Sequence, residues 1–300
     1  MLNYKTFEED IKKARELGKP CKIMVASEEE AATIVTWQEI NDFLNSGQVD
    51  FPRVRLANSS NAEMLGYRGF LETRLTKSGY NLGRVRKKAF LDKIIRGSSI
   101  IIDRCMDYFP NTRTINDFAE SALLGKASSN LYCSWSNSSS FGWHFDGHDV
   151  IAIQIQGSKK WSFKEPTFEY PTNSDKSFLM EVPQQETCFE LRIEPGEAVY
   201  VPKGYWHVVE TLTENSVHLT VGINKARNLD VLSIIEQELR RHAFFRMDLP
   251  DKISPEYVIN FKEQLMASIN EIDLDQAISR AKFESCLDLA DAKINLPNLY

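Results

Sequence analysis

The sequence predicts a mainly β core with helices on either side, and two observations carry that expectation. Between residues 128 and 224, short runs rich in Val, Ile, Tyr, Phe and Trp alternate with Gly, Pro, Asn and Ser, the texture of a β sandwich or barrel. After Asn228 the periodicity turns helical, whereas helix and strand patterns are mixed before the core. The chain is therefore expected to comprise an α/β flank (1–124), a β core (125–227) and a helical region (228–300).

In the flank, Phe7, Ile11, Ala14 and Leu17 recur at helical spacing, and Gly18 and Pro20 end that helix. A short strand, CKIMVA, follows. Thr36 and Glu39 then form a Thr-x-x-Glu capping box that opens a helix through Ile40, Phe43 and Leu44. FPRVRLA reads as a strand, residues 59–78 as a surface loop with some helix, and 85–96 as a helix. Ile100 to Ile102 form a buried β-branched strand, and a helix runs from Thr114 to Leu124, starting near TIND. The core strands are NLYCSW, DVIAIQIQ, KKWSF, CFELRI, EAVYVP, VVETL and SVHLTVGI. In DVIAIQIQ, Ile151, Ile153 and Ile155 share one face and Ala152, Gln154 and Gln156 the other. Three helical stretches, beginning near 229, 255 and 274, complete the chain.

Composition narrows the function classes. The 36 basic and 42 acidic residues leave a net charge of −6, so bulk charge gives no reason to expect a nucleic-acid partner. The basic cluster Arg84, Arg86, Lys87 and Lys88 reads as a solvated helix face. No window has the ~18 apolar residues of a membrane span, and the N-terminus lacks the apolar core of a secretory signal. The 5 scattered cysteines include no C-x-x-C pair, which argues against a disulfide framework or a structural zinc site. The cytoplasm is the expected location.

The chemistry concentrates between Trp143 and Trp161. On a strand, residues two apart face the same side, so His144 and Asp146 converge on one point. One more imidazole would complete a two-histidine, one-carboxylate face, which suits non-heme Fe(II) with adjacent positions left for a cosubstrate and O2. A structural zinc would instead close its shell with four protein ligands. For the third ligand, His148 follows a strand-breaking glycine, His218 lies mid-strand and also fits a hydrogen-bonded core residue, and His242 lies in the helical region. His207 is presented at a strand edge by the turn PKGYW and is the best placed. Gly196, Pro202, Gly204 and His207 match the second cupin motif, G-x5-P-x-G-x2-H. His144, Asp146 and Gly157 match the first, with Val150 where cupins often carry glutamate.

Together with NLYCSW and SVHLTV, these motifs resemble the JmjC-type cupins, and within them the ribosomal-oxygenase-like Fe(II)/2-oxoglutarate hydroxylases. The resemblance implies a double-stranded β-helix (jelly-roll) and iron held by His144, Asp146 and His207. It also implies that Lys159, fifteen positions past the first histidine, binds the distal carboxylate of 2-oxoglutarate. Asn130 and Tyr132 match an N-x-Y element that lines the cosubstrate pocket in relatives. The implied activity is hydroxylation of a C–H bond in a protein or peptide side chain, with succinate and CO2 as coproducts. The C-terminal helices read either as a core cover or as a homodimer interface, and the resemblance favours the interface. The chain stops short of the winged-helix domain of those relatives, which leaves room for a free amino acid or a peptide natural product as substrate. A cupin module that binds metal or ligand without catalysis is the remaining alternative.

Overall fold

The computed structural model describes residues 4–46, 49–58, 69–75, 77–79, 81–135 and 140–286. The chain divides into two compact units, one of residues 1–123 with 127–223, the other of 124–126 with 224–300.

The first unit opens with helix α1 (Tyr4–Leu17), strand β1 (Cys21–Met24) and helices α2 (Glu28–Ala31) and α3 (Trp37–Asn45). The expected capping box of α3 is formed: Thr36 Oγ1 accepts from the Glu39 amide, and the Glu39 carboxylate accepts from the Thr36 amide. Next come β2 (Val54–Ala57), β3 (Leu71–Leu75), β4 (Asn81–Val85), α4 (Lys87–Ile95), β5 (Ser99–Ile102) and α5 (Pro110–Leu123). The core strands are β6 (Lys126–Trp135), β7 (Asp149–Gln156), β8 (Lys159–Lys164), β9 (Phe189–Ile193), β10 (Glu197–Val201), β11 (Trp206–Thr211) and β12 (Asn215–Asn224).

Two flank expectations are corrected. Part of the stretch read as a loop is an antiparallel hairpin, with Leu71 opposite Val85 and Leu75 opposite Asn81. Its strands are short and rich in polar residues, so cross-strand pairing rather than local propensity defines them. The rest of that stretch, 59–68, lies outside the described residues. Helix α5 starts at Pro110, a full turn before Thr114. Proline is well suited to a first helical position, where its missing N–H would have had no partner.

Seven strands make one sheet in the order β1-β10-β7-β12-β6-β5-β2, and three make a second, β11-β8-β9. The flank strands β1, β2 and β5 therefore extend the same sheet as the core strands. Alternation along β7 assigns the two faces of that sheet. Ile151, Ile153 and Ile155 pack with Phe7, Ile11, Ile40, Phe43 and Ile115 of α1, α3 and α5. Val150 and Ala152 pack on the opposite face with Trp161, Phe163 and Ile193 of the small sheet. A helical layer thus covers one face of the large sheet and the small sheet covers the other, which is the jelly-roll of the cupin type.

The second unit contains α6 (Asn228–Leu239), α7 (Pro255–Glu271) and α8 (Leu274–Cys286). Ser254 caps α7 by accepting from the Tyr257 amide, with Pro255 at the first turn. Ile234 packs against Ala277 and Ala281, whereas Leu232 is 57% exposed.

Gly157 turns β7 into β8 with φ +66, and a Cβ there would lie 2.2 Å from the Asn215 carbonyl oxygen. Gly157→Ala is expected to destabilise the protein by about 1–3 kcal/mol from backbone strain alone, with the contact adding to it. A urea melt checks this; an unchanged midpoint would contradict the turn assignment.

Candidate active site

His144, Asp146 and His207 come together, each offering a ligand atom within 4.8 Å of the others. They form the single such cluster among the described residues. His144 and Asp146 lie just before β7, and His207 is the second residue of β11. The backbone joins the two segments directly. The His144 amide donates to the His207 carbonyl (3.1 Å), and the His207 amide donates to the His144 carbonyl (2.7 Å). The Gly204 amide also donates to the Asp146 carbonyl at 3.0 Å. All three side chains are thereby referenced to one short ladder.

Tautomers follow from the partners. Nδ1 of His144 lies 2.8 Å from the Gly142 carbonyl and Nδ1 of His207 lies 3.0 Å from the Tyr205 carbonyl. A carbonyl only accepts, so each Nδ1 carries the proton and each Nε2 keeps its lone pair. Nε2 of His207 lies 3.7 Å from Asp146 Oδ2. Burial, reinforced by His144, lowers the His207 pKa to about 4, against the opposing pull of Asp146. Burial works to raise the Asp146 pKa, but His144, His207 and His148 outweigh it and hold the carboxyl below its ordinary value. Two imidazoles with Nε2 directed away from their backbone partners and a carboxylate facing one cavity fit a divalent first-row ion that keeps open positions.

Behind this cluster is a cavity of about 260 Å³. Its walls include Tyr132, Lys159, Trp161, His218 and Thr220, with Ser140 and Phe141 also lining it. Lys159, the first residue of β8, is 2% exposed, and its ammonium donates to Ser134 Oγ at 3.0 Å. It makes no ion pair among the described residues, and burial lowers its pKa to about 7. A dry, unpaired cation is costly, and an anion beside it would remove that cost. The pocket thus meets the requirement for a dicarboxylate at the end opposite its chelating group.

Tyr132 lines the cavity and stacks on His218 with centroids 4.8 Å apart. Asn130 is placed differently: its Oδ1 accepts from the Arg104 amide, at a residue with φ +51, and it does not line the cavity. Its side chain reaches Tyr132, so its contact with the pocket runs through that tyrosine. His148 hydrogen-bonds Asn173 Oδ1 (3.1 Å), and a Cβ on Gly222 would lie 2.5 Å from its Nε2.

Sequence reasoning missed the braces. The loop after β8 reaches both ligand turns. Trp206 Nε1 donates to Thr167 Oγ1 at 2.9 Å, and a Cβ on Gly147 would lie 2.3 Å from the Thr172 carbonyl. Asp149 accepts from the Tyr200 hydroxyl (2.9 Å) and the Lys203 amide (3.1 Å), tying the start of β7 to the PKG turn. These contacts join segments far apart in sequence and leave no local pattern.

Residues 105–231 match the JmjC domain family model. The chain is 24% identical over 227 residues to a bifunctional lysine-specific demethylase and histidyl-hydroxylase NO66 of Drosophila mojavensis, covering 72% of this chain and 24% of the relative. It is 25% identical over 164 residues to the ribosomal protein uL16 3-hydroxylase of Escherichia coli K12, covering 50% of this chain and 43% of that one. The chain therefore spans well under two thirds of these relatives. The crystal structure of Escherichia coli YcfD superposes with a TM-score of 0.59 at 16% identity, over 93% of this chain and 71% of that one. A structure described as that ribosomal oxygenase with cobalt and 2-oxoglutarate gives a TM-score of 0.55 at 15% identity, over 88% and 67%.

The Lys159 environment carries a prediction. Its pKa falls from an ordinary 10.5 to about 7 on folding, so the unfolded chain binds more protons between those values. The stability cost is complete below about pH 7 and fades as the pH rises towards about 10.5. Lys159→Met is expected to raise the melting temperature of the ligand-free protein, by more at about pH 6 than at about pH 10. Equal or lower melting temperatures at both would contradict a buried, unpaired ammonium.

Fold, sequence and site geometry converge on residues 105–231, the stretch that resembles the JmjC domain, within a fold of the cupin jelly-roll type.

Proposed function

We propose that this chain is an Fe(II)- and 2-oxoglutarate-dependent oxygenase that hydroxylates a C–H bond of a protein or peptide side chain. One observation carries the reading: the His144–Asp146–His207 cluster and the unpaired Lys159 ammonium face a single cavity. Metal ligands alone would suit many cupins, whereas a buried cation in the same pocket calls for a second, anionic ligand.

His144, Asp146 and His207 would hold the metal, with the Gly142 and Tyr205 carbonyls fixing both imidazoles for coordination through Nε2. Iron, when bound, supplies O2 activation coupled to decarboxylation of 2-oxoglutarate, giving succinate and CO2 and placing one oxygen atom in the substrate. Lys159 would pair with the distal carboxylate, and Tyr132 would add a phenol hydrogen bond, oriented by Asn130. Trp161 stacks on His207 (5.6 Å) and walls the cavity, where it would help to exclude water from a bound cosubstrate.

A polypeptide substrate is supported by the curated relatives, one named for hydroxylating ribosomal protein uL16 and one as a histidyl-hydroxylase. The helical unit has exposed Val258, Ile259, Met266, Ile278 and Phe283, which suits a homodimer interface. The cysteines of the chain are free, in keeping with a cytoplasmic protein, and among the described residues no helix is long and apolar enough to cross a membrane.

Purified protein supplied with Fe(II), ascorbate and 2-oxoglutarate should form succinate. His144→Ala and Asp146→Ala should each reduce that rate by more than the ~10–100-fold typical of losing an outer partner. Full turnover in both variants would refute the assignment of the ligands.

A further inference from the structure

We propose that the loop joining β8 to β9 is a docking surface for the polypeptide substrate, and that the segment it takes is cationic with apolar residues interspersed. The inference deepens the proposed function and rests on its polypeptide substrate.

The loop comprises residues 165–188 and is fixed to both metal-ligand turns. Thr167 accepts from Trp206, the neighbour of His207, and Asn173 Oδ1 pairs with the His148 ring. A Cβ on Gly204 would lie 3.2 Å from Pro171, and the Thr172 carbonyl crowds Gly147 in the same way. Within the loop, Asp175 accepts from the Thr172 amide and hydroxyl, and the Lys164 ammonium donates to the Pro183 carbonyl. These inward contacts set the path of the chain and leave large apolar side chains outside. Between residues 168 and 182, Phe168, Tyr170, Phe178, Leu179 and Val182 are exposed, Tyr170 and Leu179 by 79% and 78%. Exposed apolar groups rimmed by polar ones mark interaction sites. A polypeptide whose side chain reaches His144, Asp146 and His207 must lie on the surface around them, and this loop belongs to that surface.

Charge selects the occupant. The loop carries Glu165, Glu169, Asp175, Glu181 and Glu186 against Lys176 alone, a net −4 within the −6 of the whole chain. Asp175 is used inside the loop, and Glu165 interacts with Tyr205. Glu169, Glu181 and Glu186 are exposed and make no ion pair or hydrogen bond among the described residues. A second copy packed loop to loop would be repelled, as would a nucleic acid or an anionic membrane. A segment bearing Lys or Arg meets three free carboxylates and can lay its aliphatic stems along the exposed apolar groups.

The test is fluorescence anisotropy on the full chain loaded with Mn(II), with 2-oxoglutarate binding measured in parallel by calorimetry. Its probes are two labelled twelve-residue peptides, one repeating Leu-Lys-Gly and one repeating Leu-Glu-Gly. The lysine peptide is expected to bind and the glutamate peptide is not. Combining Glu169→Gln, Glu181→Gln and Glu186→Gln should weaken the lysine peptide by about 3- to 100-fold, the loss of three exposed ion pairs. Combining Glu16→Gln, Glu28→Gln and Glu29→Gln on α1 and α2 changes net charge equally and should leave its affinity unchanged. Leu179→Ser should weaken it through the lost apolar contact. No binding of the lysine peptide, equal binding of both peptides, or equal losses in the two triple variants would overturn the inference. Wild-type protein that binds the lysine peptide and Mn(II) but not 2-oxoglutarate would instead refute the oxygenase reading, and with it the identification of the docked segment as substrate.

Discussion

The site depends on one pair of backbone hydrogen bonds, exchanged between His144 and His207. These residues are 63 positions apart, and neither segment would hold its side chain alone. The bridge places both imidazoles on the same side of a two-residue ladder, with ring centroids 4.3 Å apart. The Gly204–Asp146 hydrogen bond continues the register and sets the carboxylate. Metal ligands need positions fixed to fractions of an ångström, and backbone pairing supplies that more reliably than side-chain packing. The Thr167 and Asp149 contacts brace the same two segments from outside.

A second constraint is electrostatic. The interior between the two sheets is largely apolar, with Val150, Ala152, Trp161, Phe163 and Val199 all buried. Placing Lys159 and a His218 whose Nδ1 has no hydrogen-bond partner among the described residues in that setting gives up stability in the ligand-free protein. Such a cost is characteristic of functional sites, where local rules are broken for a ligand. The same groups would make the pocket selective, because a molecule without an anionic end leaves the ammonium unpaired.

Much of this was legible in the sequence because strand geometry has a simple period. Alternation in DVIAIQIQ separates the isoleucines packed under the helices from Val150 and Ala152 between the sheets. The same period puts His144 and Asp146 on one side, and the glycine-proline spacing before His207 marks the turn that meets them. Sheet order was not legible. β7 lies between β10 and β12, and β1 pairs with β10, contacts set by packing across long loops. Asn130 shows the limit of spacing: its side chain accepts from the left-handed backbone at Arg104, which no motif indicates. Nor does periodicity distinguish a packed His218 from one left without a partner, because both alternate identically along β12.

The most direct test is a crystal structure of the protein grown with Mn(II) and 2-oxoglutarate without oxygen. An anomalous peak bounded by His144, Asp146 and His207, with one ligand carboxylate against Lys159, is the predicted result. Metal bound elsewhere, or a ligand whose distal carboxylate faces away from Lys159, would contradict it.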